Sequence, residues 1–161
     1  MNLRHGRTAD RPAVGAFLAE RGSARVARRG ELLHPLDHPA LLAEDRPGGR
    51  LLGVLTYVVD RDRAWCEVLT LHSAERWRGV GTALLRLAEQ VAAEQGCRRL
   101  WLITTNDNVD ALRFYQRRGF RLAALHRGAV DDSRARLKPE IPTVGSHGIP
   151  LRDELELDKD V

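Results

Sequence analysis

The sequence predicts a mixed α/β fold in which an antiparallel meander gives way to helices alternating with strands. Three observations carry this. Residues 51–59 and 64–72 are rich in β-formers and are separated by the turn sequence Asp-Arg-Asp-Arg. Residues 79–95 switch to helical spacing, with Leu84, Leu87, Ala88, Val91 and Ala92 on one stripe. The chain then returns to a short apolar strand at 100–104, followed by a second helix carrying Ala111, Leu112, Phe114 and Tyr115.

The remaining elements follow in order. A first strand falls at residues 3–7, and Asp10 can cap a helix with Pro12 in its first turn and Val14, Phe17 and Leu18 as its apolar stripe; Gly22 ends it. Residues 23–39 have no clean period, and Ala40–Glu44 is the next strand. Pro47, Gly48 and Gly49 turn the chain into the meander, whose strands are expected to be antiparallel. Gly96 stops the long helix, Thr105 or Asn108 can cap the next, and Gly119 terminates it before a strand at 120–125. From Asp131 the text is irregular until Leu151, Leu155 and Leu157 alternate with polar residues in a last strand. The stretch 131–150 therefore reads as an ordered insertion, and a loop of that length suits a lid over a site.

With 161 residues, 43% of them hydrophobic, the chain suffices for one sizeable core, so a single domain over 1–161 is expected. The opening residues have no apolar leader, and the run at 51–59 is too short to span a bilayer, which points to a soluble cytoplasmic chain with no membrane partner. Cys66 and Cys97 form no CxxC, no histidines cluster at metal spacing, and two free thiols with no metal are expected. The formal charge is only +4, lysine occurs only at Lys138 and Lys159, and the arginines are scattered among acids. Nucleic acid is accordingly not the expected partner, although a cluster at Arg25, Arg28 and Arg29 stands as the rival feature.

The most informative segment is Glu75-Arg76-Trp77-Arg78-Gly79-Val80-Gly81-Thr82, between a strand ending near His72 and the long helix. Two glycines at a helix mouth let the backbone curl round a ligand, and the unpaired N–H groups of the first turn, with Arg76 and Arg78, make an anion site. The dinucleotide fingerprint is absent, since its third glycine position is Leu84, and so is the phosphate-loop lysine pattern.

Arg76-Trp77-Arg78-Gly79-Val80-Gly81 resembles the signature of the GNAT acetyltransferases: Arg or Gln, two residues, Gly, one residue, then Gly or Ala. Downstream, Asn108, Ala111, Phe114, Tyr115, Gly119 and Phe120 repeat the family's second motif in order. The resemblance covers residues 51–125 well and the first 45 by element order, while the part from Asp131 resembles one bacterial subgroup. It implies a mixed, mostly antiparallel sheet of about seven strands, splayed between the fourth and fifth, with about four helices around it. It also implies acetyl-CoA as co-substrate, its pantetheine arm on the backbone of Leu69 and Leu71, its pyrophosphate on Arg76, Trp77, Arg78, Gly79, Val80, Gly81 and Thr82, and further contacts from Asn108 and Tyr115. The acceptor is a small-molecule or peptide amine, and a homodimer is possible, with the last strand offering an edge.

The reaction asks for a base, because an alkylamine with a pKa of about 10.4 is protonated at neutral pH at a cost of about 4 to 5 kcal/mol. By position in the resemblance Glu67 is that base and Tyr115 protonates the leaving thiolate, while the N–H of Leu71 polarises the acetyl carbonyl. Plain strand alternation puts Glu67 on the face of Leu69 and Leu71, so either one of those side chains enters the cleft or a bulge intervenes. His72 is a second candidate base. Asn108 can cap its helix or touch the coenzyme, but not both well. Trp65 and Trp101 read as packing. A binding module of the same fold without turnover is the alternative to an enzyme.

Overall fold

A computed structural model of the chain describes residues 1–76 and 78–161. In chain order the elements are β1 (Asn2–His5), α1 (Arg11–Ala19), the short strands β2 (Val26–Arg28) and β3 (Glu31–Leu33), β4 (Ala40–Glu44), β5 (Leu51–Asp60) and β6 (Trp65–Ser73). They continue with α2 (Val80–Glu94), β7 (Arg99–Thr105), α3 (Val109–Gln116), β8 (Arg121–His126), α4 (Ala129–Arg136) and β9 (Glu154–Asp160). The class is the mixed α/β one that the sequence predicts. The chain forms two compact units, residues 1–25, 34–100 and 161, and residues 26–33 and 101–160.

In the first unit the strand order is β1-β4-β5-β6, every neighbour antiparallel, as the meander requires. One face is covered by α1, whose Val14, Phe17 and Leu18 pack with Leu42 and Val54 in a core cluster. The other carries α2, and it does so at backbone distance: a Cβ on Gly53 would stand 2.6 Å from Val80 Cγ1 and 2.9 Å from Leu84 Cδ1. Gly53 is thus the residue that lets the start of α2 settle on β5.

The expected cap of α1 is corrected. The carboxylate of Asp10 makes no bond to the turn it precedes. It accepts from the N–H of Arg7 and, through both oxygens, from Arg4 at 2.8 Å, closing the short 3-10 turn Thr8–Asp10 instead. Arg4 also grips the buried Glu44 at 2.6 Å, so one guanidinium ties β1, β4 and the entry to α1. These bonds hold Asp10 down to about 2 and also lower Glu44.

In the second unit the strand order is β7-β9-β8. The expectation that the last strand offers an edge is therefore wrong: β9 starts at Glu154 rather than Leu151 and lies between two neighbours, and β8 is the outer strand. Residues 23–39, without period in sequence, include the β2–β3 hairpin, whose turn uses Arg29 and Gly30 at positive φ.

The irregular stretch after Asp131 also needs correcting, because Ala129–Arg136 is helical. Asp131 and Asp132 sit in its first turn and Arg134 and Arg136 in its last, a distribution that favours a helix through its dipole and through the Asp131–Arg134 and Asp132–Arg136 pairs. The loop that follows is ordered by polar bonds. Arg134 donates to the carbonyls of Ile141, Pro142 and Leu151. Asn106 accepts from the N–H groups of Arg152 and Asp153 and donates to the Pro150 carbonyl. Asp107 accepts from the Thr105 hydroxyl and the Ser146 N–H, with Gly145 so close that a Cβ there would overlap the carboxylate.

Candidate active site

The decisive feature of the first unit is a change of register in β6. Thr56 lies opposite Thr70 but Tyr57 lies opposite Val68, which leaves Leu69 as an extra residue. Across this bulge the alternation of side chains is reset. Glu67, opposite Val58, shares a face with Val54, Thr56, Thr70 and His72, the face that α1 covers. Leu71, opposite Leu55, falls on the other face, with Gly53 and α2. The bulge that strand parity left open is present.

That face carries a line of polar groups. Glu67, Thr56 and Thr70 are buried, and the two threonine hydroxyls bond to each other at 2.6 Å. At the far end the His72 Nε2 and Ser23 Oγ are 2.7 Å apart, which joins the segment after α1 to the end of β6. Burial, with some repulsion from Arg21, lowers His72 to about 4, so its ring is neutral at physiological pH and can act as acceptor or donor.

The backbone of β6 is equally specific. The Ala74 N–H donates to the Leu52 carbonyl at 2.7 Å, so alternate residues of β6 after the bulge face β5. Leu71 falls between them, and its N–H and C=O are directed away from β5. Leu69, at the bulge, is buried.

The loop after β6 holds Arg76 and Arg78 at the surface; Arg78 pairs with Glu75 at 2.8 Å and is 75% exposed. Trp77 lies outside the described residues. Gly79 precedes α2 at φ +76 with nothing within 4 Å of where a Cβ would be, so the left-handed backbone rather than crowding demands glycine. Val80 spends its side chain on packing, and its amide stands with that of Gly81 in the first turn of α2, where the Ala83 N–H bonds to the Gly79 carbonyl.

In the second unit Tyr115 is buried on α3, edge-on to Phe114 at 5.1 Å and Phe120 at 5.3 Å. Burial pushes its hydroxyl up, so it stays protonated and available as a proton donor. Gly119 closes the helix at φ +91, with the Phe120 N–H on the Tyr115 carbonyl. The side-chain oxygen of Asn108 accepts from the Ala111 N–H at 3.2 Å and so caps α3. Of the tryptophans, Trp101 is buried beneath Arg28 and Arg29, and Trp65 is half-buried with Arg63 and Arg99 over its ring.

Sequence reasoning raised a bulge as one of two alternatives without placing it at Leu69, and it did not see the Ser23–His72 pair or the anchoring of the 137–151 loop by Asn106, Asp107 and Arg134. Only α4 left a signal, in its acids first and arginines last. Among the described residues no group of three or more His, Cys, Asp or Glu could hold a metal ion, and no helix is long and apolar enough to cross a membrane.

Comparison with known proteins identifies the family and the fold. Residues 11–120 match the model of the Acetyltransferase (GNAT) family. The chain is 47% identical over 111 residues to the protein YdhI of Bacillus subtilis strain 168, covering 69% of this chain and 68% of that one. Its fold is that of an IAA acetyltransferase from Bacillus cereus ATCC 14579, with a TM-score of 0.73 at 22% identity over 99% of this chain and 100% of the other. It is likewise that of a Bacillus subtilis acetyltransferase in complex with CoA, with a TM-score of 0.69 at 19% identity over 99% and 98% of the two chains. With more than half of its length matched, this chain belongs to the acetyltransferase (GNAT) family.

Proposed function

We propose that this protein transfers the acetyl group of acetyl-CoA to a primary amine by direct attack in a ternary complex. The observation that carries the reading is the bulge at Leu69, which puts a buried carboxylate, Glu67, on one face of β6 while the Leu71 N–H points out of the strand. Family membership and the CoA held by the Bacillus subtilis structure support the choice of co-substrate.

The roles follow from the chemistry. The amine gives up its proton to Glu67, its nitrogen lone pair forms the C–N bond, and the carbonyl oxygen gathers charge that the Leu71 N–H stabilises. The C–S bond then breaks, and the departing thiolate, of pKa about 8.5, takes the phenolic proton of Tyr115. Arg76, Arg78 and the first-turn amides of α2 hold the pyrophosphate, and the Leu69 and Leu71 backbone pairs with the pantetheine arm. The acceptor is a small-molecule or peptide amine whose nitrogen approaches the face shared by Glu67, Thr70 and His72.

Calorimetric titration with acetyl-CoA tests the coenzyme half of this reading. Micromolar binding weakened at least ~10-fold in Arg78→Glu is expected, and no binding by the unmodified chain overturns it. A panel of amines, read by thiol release, then tests catalysis. Tyr115→Phe and Glu67→Gln should each lower kcat by roughly 10² to 10⁴, and Glu67→Gln should recover in part towards pH 10, where a much larger fraction of the amine is deprotonated than at neutral pH. Binding without thiol release from any amine would favour a binding module.

A further inference from the structure

The face of β6 that α1 covers is oppositely charged at its two ends. At one end, where the chain leaves α1, Ser23 bonds to His72 and Arg21 lies close enough to disfavour a proton on that ring. Arg21 is half-buried and fixed in two ways: its Nη1 donates to the Phe17 carbonyl at 2.8 Å, and its guanidinium lies 3.6 Å from the centroid of the Phe17 ring. Its contact with the exposed Glu20, at 3.4 Å, uses the same Nη1. Nε and Nη2, an edge of the fork that matches a carboxylate, have no partner among the described residues. The Nδ1 of His72 has none there either. With the Ser23 hydroxyl donating to Nε2, the neutral ring carries its hydrogen on Nδ1 and presents a donor. Glu67 stands at the other end: the β5 partners of Glu67 and His72 are Val58 and Val54, four residues or about 13 Å apart.

We propose that the acceptor is an amine that also carries a carboxylate, an amino acid or short peptide, and that Arg21, with His72 and Ser23, seats its acid while its amine lies towards Glu67. The inference rests on the acetyl transfer proposed above and narrows its acceptor. The sign of the charge at each end is the argument. Glu67 suits an ammonium and the Arg21 fork suits a carboxylate, so a molecule with both groups is aligned along β6, and the reversed orientation sets like charges together. A simple amine satisfies the Glu67 end alone and leaves the guanidinium edge and the imidazole without acceptors. Because Phe17 holds Arg21 in place before the acceptor arrives, little side-chain freedom is lost on binding. A lysine at this position would keep the charge but not the two parallel donors or the stacking on Phe17.

Thiol release from acetyl-CoA reads the result with L-α-amino acids and with the ω-amino acids from β-alanine to 6-aminohexanoate, each beside the amine that lacks the carboxyl group. In the best-used pair the acid-bearing member is expected to have a kcat/KM at least ~10-fold higher, and Arg21→Ala should bring that ratio towards one, chiefly through KM. Arg21→Lys should fall between the two, a grading that damage to the fold would not produce; circular dichroism checks that both variants are folded. Equal or better use of the bare amines, or a preference that survives Arg21→Ala, overturns the proposal. If none of the pairs is acetylated, the activity fails its own test and the acid seat is read without turnover. The ¹⁵N shifts of the His72 ring are then followed, with CoA bound, as the same pairs are titrated. An amino acid should move them below about 50 mM where its bare amine does not, and should fail to do so in Arg21→Ala. No movement, or equal movement with the bare amine, overturns the inference as well.

Discussion

The strip formed by β5, β6 and α2 and the segment from Gly128 to Asp153 achieve order by opposite means. In the first, aliphatic side chains interlock: Leu55, Leu84, Leu85, Ala88 and Ala92 are buried, and Val80 and Leu84 fill the space that Gly53 leaves open. In the second, Val130, Ser133 and Leu151 are the buried residues among the 26, and the chain is held by side chains bonded to backbone. Packing spreads stability over many contacts of about 0.1–0.2 kcal/mol each, whereas a polar clamp concentrates it in a few groups whose loss leaves buried partners unsatisfied. The first region should respond to mutation globally, the second locally.

The largest effect is expected from Leu84→Ala, which empties a fully buried position on Gly53 and should cost about 2 to 5 kcal/mol of global stability in urea unfolding. A cost below about 1 kcal/mol would break the comparison. Arg134→Ala removes donors from three carbonyls at once; hydrogen exchange should speed up at least ~10-fold across residues 137–151 while the amides of α2 keep their protection. Loss of protection in α2 would show that the clamp is not local. Gly145→Ala forces a methyl into the Asp107 carboxylate and should cost about 1 to 3 kcal/mol, most of it recovered in an Asp107→Ala background if the two act as one contact.

The smallest effects are electrostatic and opposite in sign. Asp10 is lowered from 3.8 to about 2, chiefly by Arg4, so its contribution is present above pH 3.8 and is lost as pH falls towards 2. Asp10→Asn should therefore lower stability at pH 7 and match the unmodified chain near pH 2. Glu154 is raised by burial, which outweighs the bond it accepts from the Arg29 N–H, so it favours the fold when protonated and opposes it as pH rises. Glu154→Gln keeps an oxygen for that N–H and should raise stability modestly at pH 7, the gain disappearing in acid. Thermal unfolding across pH 2 to 7 reads both.

Legibility in the sequence divides along the same line. The α2 boundaries were readable because Gly79 and Gly96, both at positive φ, bracket a helical stripe that no other element could bury. Tyr115 and the arginine loop were readable as a pair of motifs at fixed spacing. The bulge at Leu69 was not, since Val68, Leu69 and Thr70 are all good strand residues and no local signal says which of them lacks a partner on β5. Nor was the role of Asn106, because one amide that bonds to Pro150, Arg152 and Asp153 acts over more than 40 residues of chain.

By itself the sequence determined the class of fold, the order of its main elements and the place of a glycine-containing turn before a long helix, because each of these is written in local propensity and in the spacing of apolar residues. Tertiary structure decided which face of β6 carries Glu67, where the Asn108 oxygen is engaged and which strand stands at the edge. Those depend on register and strand order, and a shift of one residue in pairing moves a side chain from one face to the other at no cost that the local sequence records.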